Sequence, residues 1–302
     1  MNMTTKVAAL HIALWGVDRR YRIWWQTWPA AAALLICSWI YVDRQPPAAP
    51  AAAASWARPV GPQSPPTTFA PLAKMPSPTS LWSAAQQADA SRCLFGTEEK
   101  AIVEACSRLI NSGPLQERQL VQIYPQRAYN LRFTDPERAM ADYNAALKIQ
   151  PELTPALVNR AWLLMARSDY AAAIPDLDKA IANAHTANKA RAYYYRGFGY
   201  LKLKQPERAL DDLNFAVGTD PGNADAYFSR GEALQALKRH DLALRDFDEF
   251  SKRSPRDASG IVGRASVFEE TERYEEALLA YDRALRRDPD NTAAREGWDR
   301  LR

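Results

Sequence analysis

The residues of this chain with the most chemistry to offer are three histidines, three cysteines and a recurring arginine. His11, His185 and His240 stand apart, with no cysteine, carboxylate or second histidine at metal-ligand spacing. No phosphate-cradling loop, dinucleotide fingerprint or GxSxG nucleophile turn occurs. Arg196-Gly197-Phe198-Gly199 lies inside a helical pattern with no strand before it. No catalytic residue, cofactor or metal is therefore expected, and the chain reads as a non-enzyme. Cys37 lies in an apolar run. Cys93 and Cys106 have two readings: a disulfide, which an exported chain would favour, or two reduced, buried thiols. The disulfide is the expectation, on condition of export. The arginine precedes a small residue five times: Arg127-Ala128, Arg160-Ala161, Arg196-Gly197, Arg230-Gly231 and Arg264-Ala265. Candidate counter-charges recur as well, at Asp142, Asp176, Asp212 and Asp246, with Asp282 displaced by two positions. A charge that repeats together with its counter-charge points to a structural ladder rather than a ligand site.

The elements that carry this ladder announce themselves by duplication. Residues 135–151 read DPERAMADYNAALKIQP and residues 205–221 read QPERALDDLNFAVGTDP. The alanine after the PER phrase recurs at Ala139, Ala173, Ala209, Ala243 and Ala277, at spacings of 34, 36, 34 and 34. A closing proline follows at Pro151, Pro221, Pro255 and Pro289, with His185 in the remaining slot. Each unit has apolar residues at helical spacing, as in Tyr193, Gly197, Tyr200 and Leu201, then a polar break such as LKQPE, then a second helical run. Proline cannot continue that run. Small residues at two fixed positions let the paired helices approach closely. One pair cannot bury its apolar side alone, so units must stack.

A helix–turn–helix unit of this length, with Tyr227, Gly231, Leu234, Ala243, Phe247 and Pro255 at its marker positions, resembles the tetratricopeptide repeat family. The resemblance covers about five units between residues 120 and 291 and implies an all-α solenoid. Departures are local: unit one is one residue short in its turn, Asn188 and Lys189 are extra after unit two, and Phe250 stands where alanine is usual. In that family the first helices of successive units line a concave groove that holds an extended or helical peptide. The resemblance places Tyr129, Asn159, Trp162, Arg191, Tyr194, Phe198, Phe228 and Glu232 there. The groove should be aromatic over units one to three and polar to acidic over four and five. The family's carboxylate clamp needs several Lys and Asn groups, of which Asn159 alone fits.

Composition bounds the rest. Residues 1–80 carry seven Lys/Arg and two Asp/Glu, which leaves 32 and 33 for the remainder, so a basic overall balance is no argument for nucleic-acid binding. Residues 23–42 (IWWQTWPAAAALLICSWIYV) hold no charge. As a helix they would span ~30 Å, the thickness of a bilayer's hydrocarbon core, with Trp24, Trp25 and Trp28 at one end and Trp39 and Tyr41 at the other. Lys6, Arg19, Arg20 and Arg22 precede this run, so residues 1–22 are expected in the cytoplasm and all that follows outside. Residues 43–80, rich in proline, alanine and serine, are expected to form a disordered, semi-stiff linker. Residues 81–119 should be an N-terminal helical cap, with a helix over 97–111 begun by a threonine cap, and residues 292–302 a C-terminal capping helix. The reading is a single-pass protein of a bacterial inner membrane whose periplasmic repeats bind another protein or peptide. The rival is a self-associating, homo-oligomeric component of a secretion, pilus or division assembly.

Overall fold

The computed structural model describes residues 82–183 and 186–302. The segments 1–22, 23–42 and 43–80, including the expected span and linker, lie outside the described residues. Among the described residues there are thirteen helices and no strand, and no helix is long and apolar enough to cross a membrane. The helices are α1 Ala84–Phe95, α2 Glu99–Asn111, α3 Glu117–Leu131, α4 Pro136–Ile149, α5 Thr154–Ala166, α6 Tyr170–Asn183, α7 Thr186–Lys202, α8 Pro206–Thr219, α9 Ala224–Ala236, α10 His240–Arg253, α11 Ser259–Glu270, α12 Tyr274–Arg287 and α13 Thr292–Leu301. The five expected units are the hairpins α3–α4 to α11–α12.

Local chemistry sets the boundaries. Pro136 and Pro206 open α4 and α8, where a missing N–H costs nothing. Asp135, Asn223 and Asn291 accept N-cap bonds from the amides of Arg138, Ala226 and Ala294. The first helix of units two to five ends on a left-handed residue: Ser168, Lys204, Lys238 and Glu272 all have φ near +60°. The next amide then bonds back to a carbonyl one turn inside the helix, as Gln205 does to Tyr200 and Arg239 to Leu234. Unit one is one residue short in this turn and has no left-handed residue there. The extra Asn188 and Lys189 do not make a loop; they fall in α7, the longest of these helices.

Packing follows the repeated small residues. Ala139, Ala173, Ala209, Ala243 and Ala277 are all fully buried. Gly231 and Gly263 both press on the Phe247 ring, where an added Cβ would lie 2.9 and 2.7 Å from ring atoms. First helices touch the next first helices along the whole array, whereas second helices do not touch one another. The first-helix wall is therefore the shorter, inner one.

The arginine ladder forms, and it does more than pair within a unit. Arg127, Arg160, Arg196 and Arg230 each grip Asp142, Asp176, Asp212 and Asp246 with two nitrogens at 2.6–2.8 Å. The third nitrogen reaches back to the preceding second helix, at Asn144, Asp178 and Asn214 for units two, three and four. These bonds hold the Arg196 and Arg230 guanidiniums above their ordinary pKa. Unit five corrects the sequence expectation. Arg264 bonds Asp248 of unit four at 2.5 Å, and Asp282 bonds Arg286 of its own helix. Asp282 stands in the register of the backward-reaching acceptors, and Ala280 occupies the position of the in-unit aspartate.

The N-terminal cap is a helical hairpin. Ser83 and Gln86 form a capping box that starts α1. Helix α2 starts at Glu99 with no side-chain cap, so Thr97 does not have the expected role. Cys93 and Cys106 are joined by a disulfide, both residues being fully buried. Ser107 accepts the third nitrogen of Arg127 at 3.2 Å, in the place that Asn144 takes for Arg160. The pair α1–α2 thus acts as a degenerate repeat ahead of unit one, stapled where the others rely on packing. Helix α13 closes the other end: Ala294 and Gly297 are buried against α12, with Trp298 and Leu301 covering unit five.

Candidate peptide-binding groove

The inner wall is built from α3, α5, α7, α9 and α11, and the expected groove residues divide into those that face the open side and those that are covered. Tyr129 is half-buried, with the Arg132 guanidinium stacked on its ring at 3.9 Å and also 4.4 Å from the Phe133 ring. Phe133 is 55 % exposed and meets half-buried Trp162 edge-on at 5.5 Å. Phe133 follows α3 in a turn, so helical periodicity did not mark it; Arg132 was passed over for the same reason. Arg191 is half-buried. It and Asp225 both act on the buried Tyr195 hydroxyl, one stabilising its ionised form and the other opposing it, while burial dominates and raises its pKa.

Three expected residues give most of their surface to neighbouring repeats. Asn159 is 5 % exposed and lies against the buried Tyr143 hydroxyl. Tyr194 and Phe198 are each 3 % exposed. Phe198 packs against Tyr170 at 6.1 Å with the Lys202 ammonium 5.0 Å over its face. Phe228 is half-buried and turns toward Phe247 and Phe250, at 5.4 and 5.1 Å. The aromatic surface that remains open runs through Tyr129, Phe133 and Trp162.

Most of the polar side chains beyond unit three are committed to internal bonds. Gln235 donates to Ser266 and Glu270, which also takes a bond from Lys238. Glu269 accepts from Arg300 and from the Tyr281 hydroxyl, which holds its carboxyl below the usual range. Glu232 differs. Its Oε2 has no hydrogen-bond partner among the described residues, and the nearest cation, Lys202, is 4.0 Å away. Burial pushes its carboxyl above the usual range, and the opposing pull of Lys202 and Lys204 is too weak to reverse this. The Tyr194 hydroxyl, deeply buried and close enough to feel this carboxylate, also has no hydrogen-bond partner of good geometry, although Ser229 lies beside it.

Among the described residues no three His, Cys, Asp or Glu side chains gather into a metal set. What the arrangement offers is a wall for contact: open rings packed on a buried arginine at one end, and an underpaired carboxylate at the middle.

Solved structures share this fold. YrrB, described as a tetratricopeptide repeat protein with an unusual peptide-binding site, aligns with a TM-score of 0.53 at 24 % identity, over 65 % of this chain and 99 % of its own. PilW, described as a type IV pilus biogenesis factor, aligns with a TM-score of 0.60 at 16 % identity, over 71 % and 99 %. Pseudomonas aeruginosa PilF aligns with a TM-score of 0.57 at 16 % identity, over 72 % and 96 %. No curated protein sequence matches the chain. A family model described as tetratricopeptide repeat matches residues 199–258 and 234–292, and the match agrees with the hairpins and markers above: the repeats it covers are tetratricopeptide repeats.

Proposed function

We propose that this protein is a membrane-tethered scaffold whose inner groove binds a peptide or protein segment on the periplasmic side of a bacterial inner membrane. The observation that carries the binding role is the open aromatic run of Tyr129, Phe133 and Trp162 on the inner wall. Rings with two side-chain torsions give large contact area at low entropic cost, and aromatic anchors dominate interface energies. The uncharged run of residues 23–42 with its basic leading flank supports the tether, and the Cys93–Cys106 disulfide supports an oxidising compartment. Tethering then raises the effective concentration of the partner near the membrane.

In-cell crosslinking tests the binding role. One specific partner should be captured by the native chain, lost with Trp162→Ala and retained with Leu279→Ala on the outer face. Capture unchanged by Trp162→Ala removes the groove. A reporter fused after Arg302 tests the side: activity in the cytoplasm overturns the placement.

A second reading, self-association within an envelope assembly, draws on Leu242, Tyr274 and Leu279, which are 45, 50 and 67 % exposed. Sedimentation that stays monomeric at all concentrations would remove it.

A further inference from the structure

We infer that the groove takes a peptide carrying one lysine or arginine side chain, which seats against Glu232 between repeats three and four. The inference rests on the groove reading above and specifies what the occupant must carry.

The inner wall is split by charge. Arg132 stacks among the rings of unit one and Lys202 over Phe198. Beyond α7 the wall turns acidic through Asp225, Glu232, Glu269 and Glu270. The two distal acids are consumed by Arg300, Tyr281, Lys238 and Gln235. Asp225 has an interaction of its own as well, which leaves Glu232 as a half-buried carboxylate with Lys202 at 4.0 Å as its nearest cation and Lys204 acting from farther off. Its side chain retains 33 % exposure, so a ligand can reach it, yet Oε2 is shut off from solvent and has no hydrogen bond among the described residues. A partly desolvated carboxylate in this state gains more from a second cation than a hydrated one does.

The surroundings suit such a cation. Phe198 already holds one ammonium, that of Lys202, over its face, and the same ammonium is the nearest to Glu232. The Lys202–Glu232 contact, at 4.0 Å between side chains each about one-third exposed, is of the weak kind that exchanges readily. A ligand cation would replace Lys202 at Glu232 while the ligand's apolar side chains cover Phe133 and Trp162. Acidic ligands would meet the underpaired carboxylate and be disfavoured. This separates the groove from one that captures a terminal carboxylate, for which cations would have to stand where Glu232 does.

The test is selection of a displayed random 12-residue peptide library on the full-length chain in detergent, in parallel on Glu232→Gln and Trp162→Ala. The expected result is an enriched set with Lys or Arg at a fixed distance from an apolar anchor. Binding of the best synthetic peptide should weaken roughly tenfold or more on Glu232→Gln, since the lost bond is charge-assisted. Replacing the peptide's basic residue by norleucine should cost as much on the native chain and nothing on Glu232→Gln. Peptides that depend on Trp162 but have no basic position, or are indifferent to Glu232→Gln, overturn this inference and leave the groove standing. No enrichment, or peptides indifferent to Trp162→Ala, overturns both. A melting curve for each variant, matching the native chain within a few degrees, rules out unfolding as the cause of lost binding.

Discussion

Glu232 is held in a place that opposes its charge, and this has a consequence for stability. Burial raises its pKa in the folded chain above the ordinary carboxylate value. A raised folded value means that the folded state binds the proton more tightly than the unfolded state. Stability is then fully present below pH ~4.5 and falls as pH rises through the folded value. Glu232→Gln removes that loss. The variant should melt higher than the native chain at pH 7, and the gap should narrow below pH 4.5. An equal gap at both pH values would mean that burial is not the cause. Glu249 behaves oppositely: Lys252 and Arg253 on its own helix depress it to about 2, and being surface groups they confer a screened, minor effect. Candidate positions on the inner wall were legible from repeat register. Which of them were open was not: Tyr194 and Phe198 occupy the same register as exposed groove residues in the family, yet neighbouring repeats cover both. Burial across a repeat interface depends on what the next unit supplies, and a one-unit pattern does not contain it.

At the scale of the helix pair, each turn between first and second helix contains a stored cost. Ser168 and Glu272 are exposed, make no side-chain bond among those described, and sit at φ near +60°. The left-handed conformation costs a non-glycine residue roughly 1 kcal/mol, which glycine does not incur. Ser168→Gly and Glu272→Gly should each stabilise the array by about 0.5–1 kcal/mol, additively because the sites lie in different repeats. Thermal unfolding followed by circular dichroism checks this, and loss of stability in either variant would refute it. The stapled hairpin α1–α2 is subject to the reverse argument. Closing a loop of this size by a disulfide contributes ~2–3 kcal/mol. Reduction should therefore weaken hydrogen-exchange protection in α1 and α2 while α9 and α10 keep theirs. The helix pairs were readable because small residues, prolines and PER phrases recur in fixed register. The hairpin α1–α2 was only partly so. Its first helix has a weak apolar pattern, and its kinship to a repeat shows only when Ser107 meets Arg127.

Over the whole molecule, stability is a sum of repeats and the interfaces between them. The arginine ladder is one of those interface terms, since the guanidiniums of units one to four each bind their own second helix and the preceding one at once. In four units the in-unit grip is two-pronged, and at Arg127–Asp142 it is almost wholly buried, with side-chain exposures of 8 and 5 %. Removing one partner there would strand a buried charge at a cost of about 3–5 kcal/mol. Unit five lacks this grip because Ala280 replaces the aspartate, and among the described residues Asp248 is the one carboxylate that Arg264 bonds. The C-terminal hairpin should accordingly open at lower free energy than the central ones, with amides of α11 and α12 exchanging faster than those of α7 and α8. Ala280→Asp supplies the missing acceptor. Arg264 is one-third exposed, so the new bond is screened and should add about 1 kcal/mol, below the usual range for charge-assisted bonds. Slower exchange in α11 and α12, with α3 and α4 unchanged, is the expected result. A uniform change along the array, or none, would show that the ladder does not set local stability and that apolar stacking alone governs where the solenoid frays.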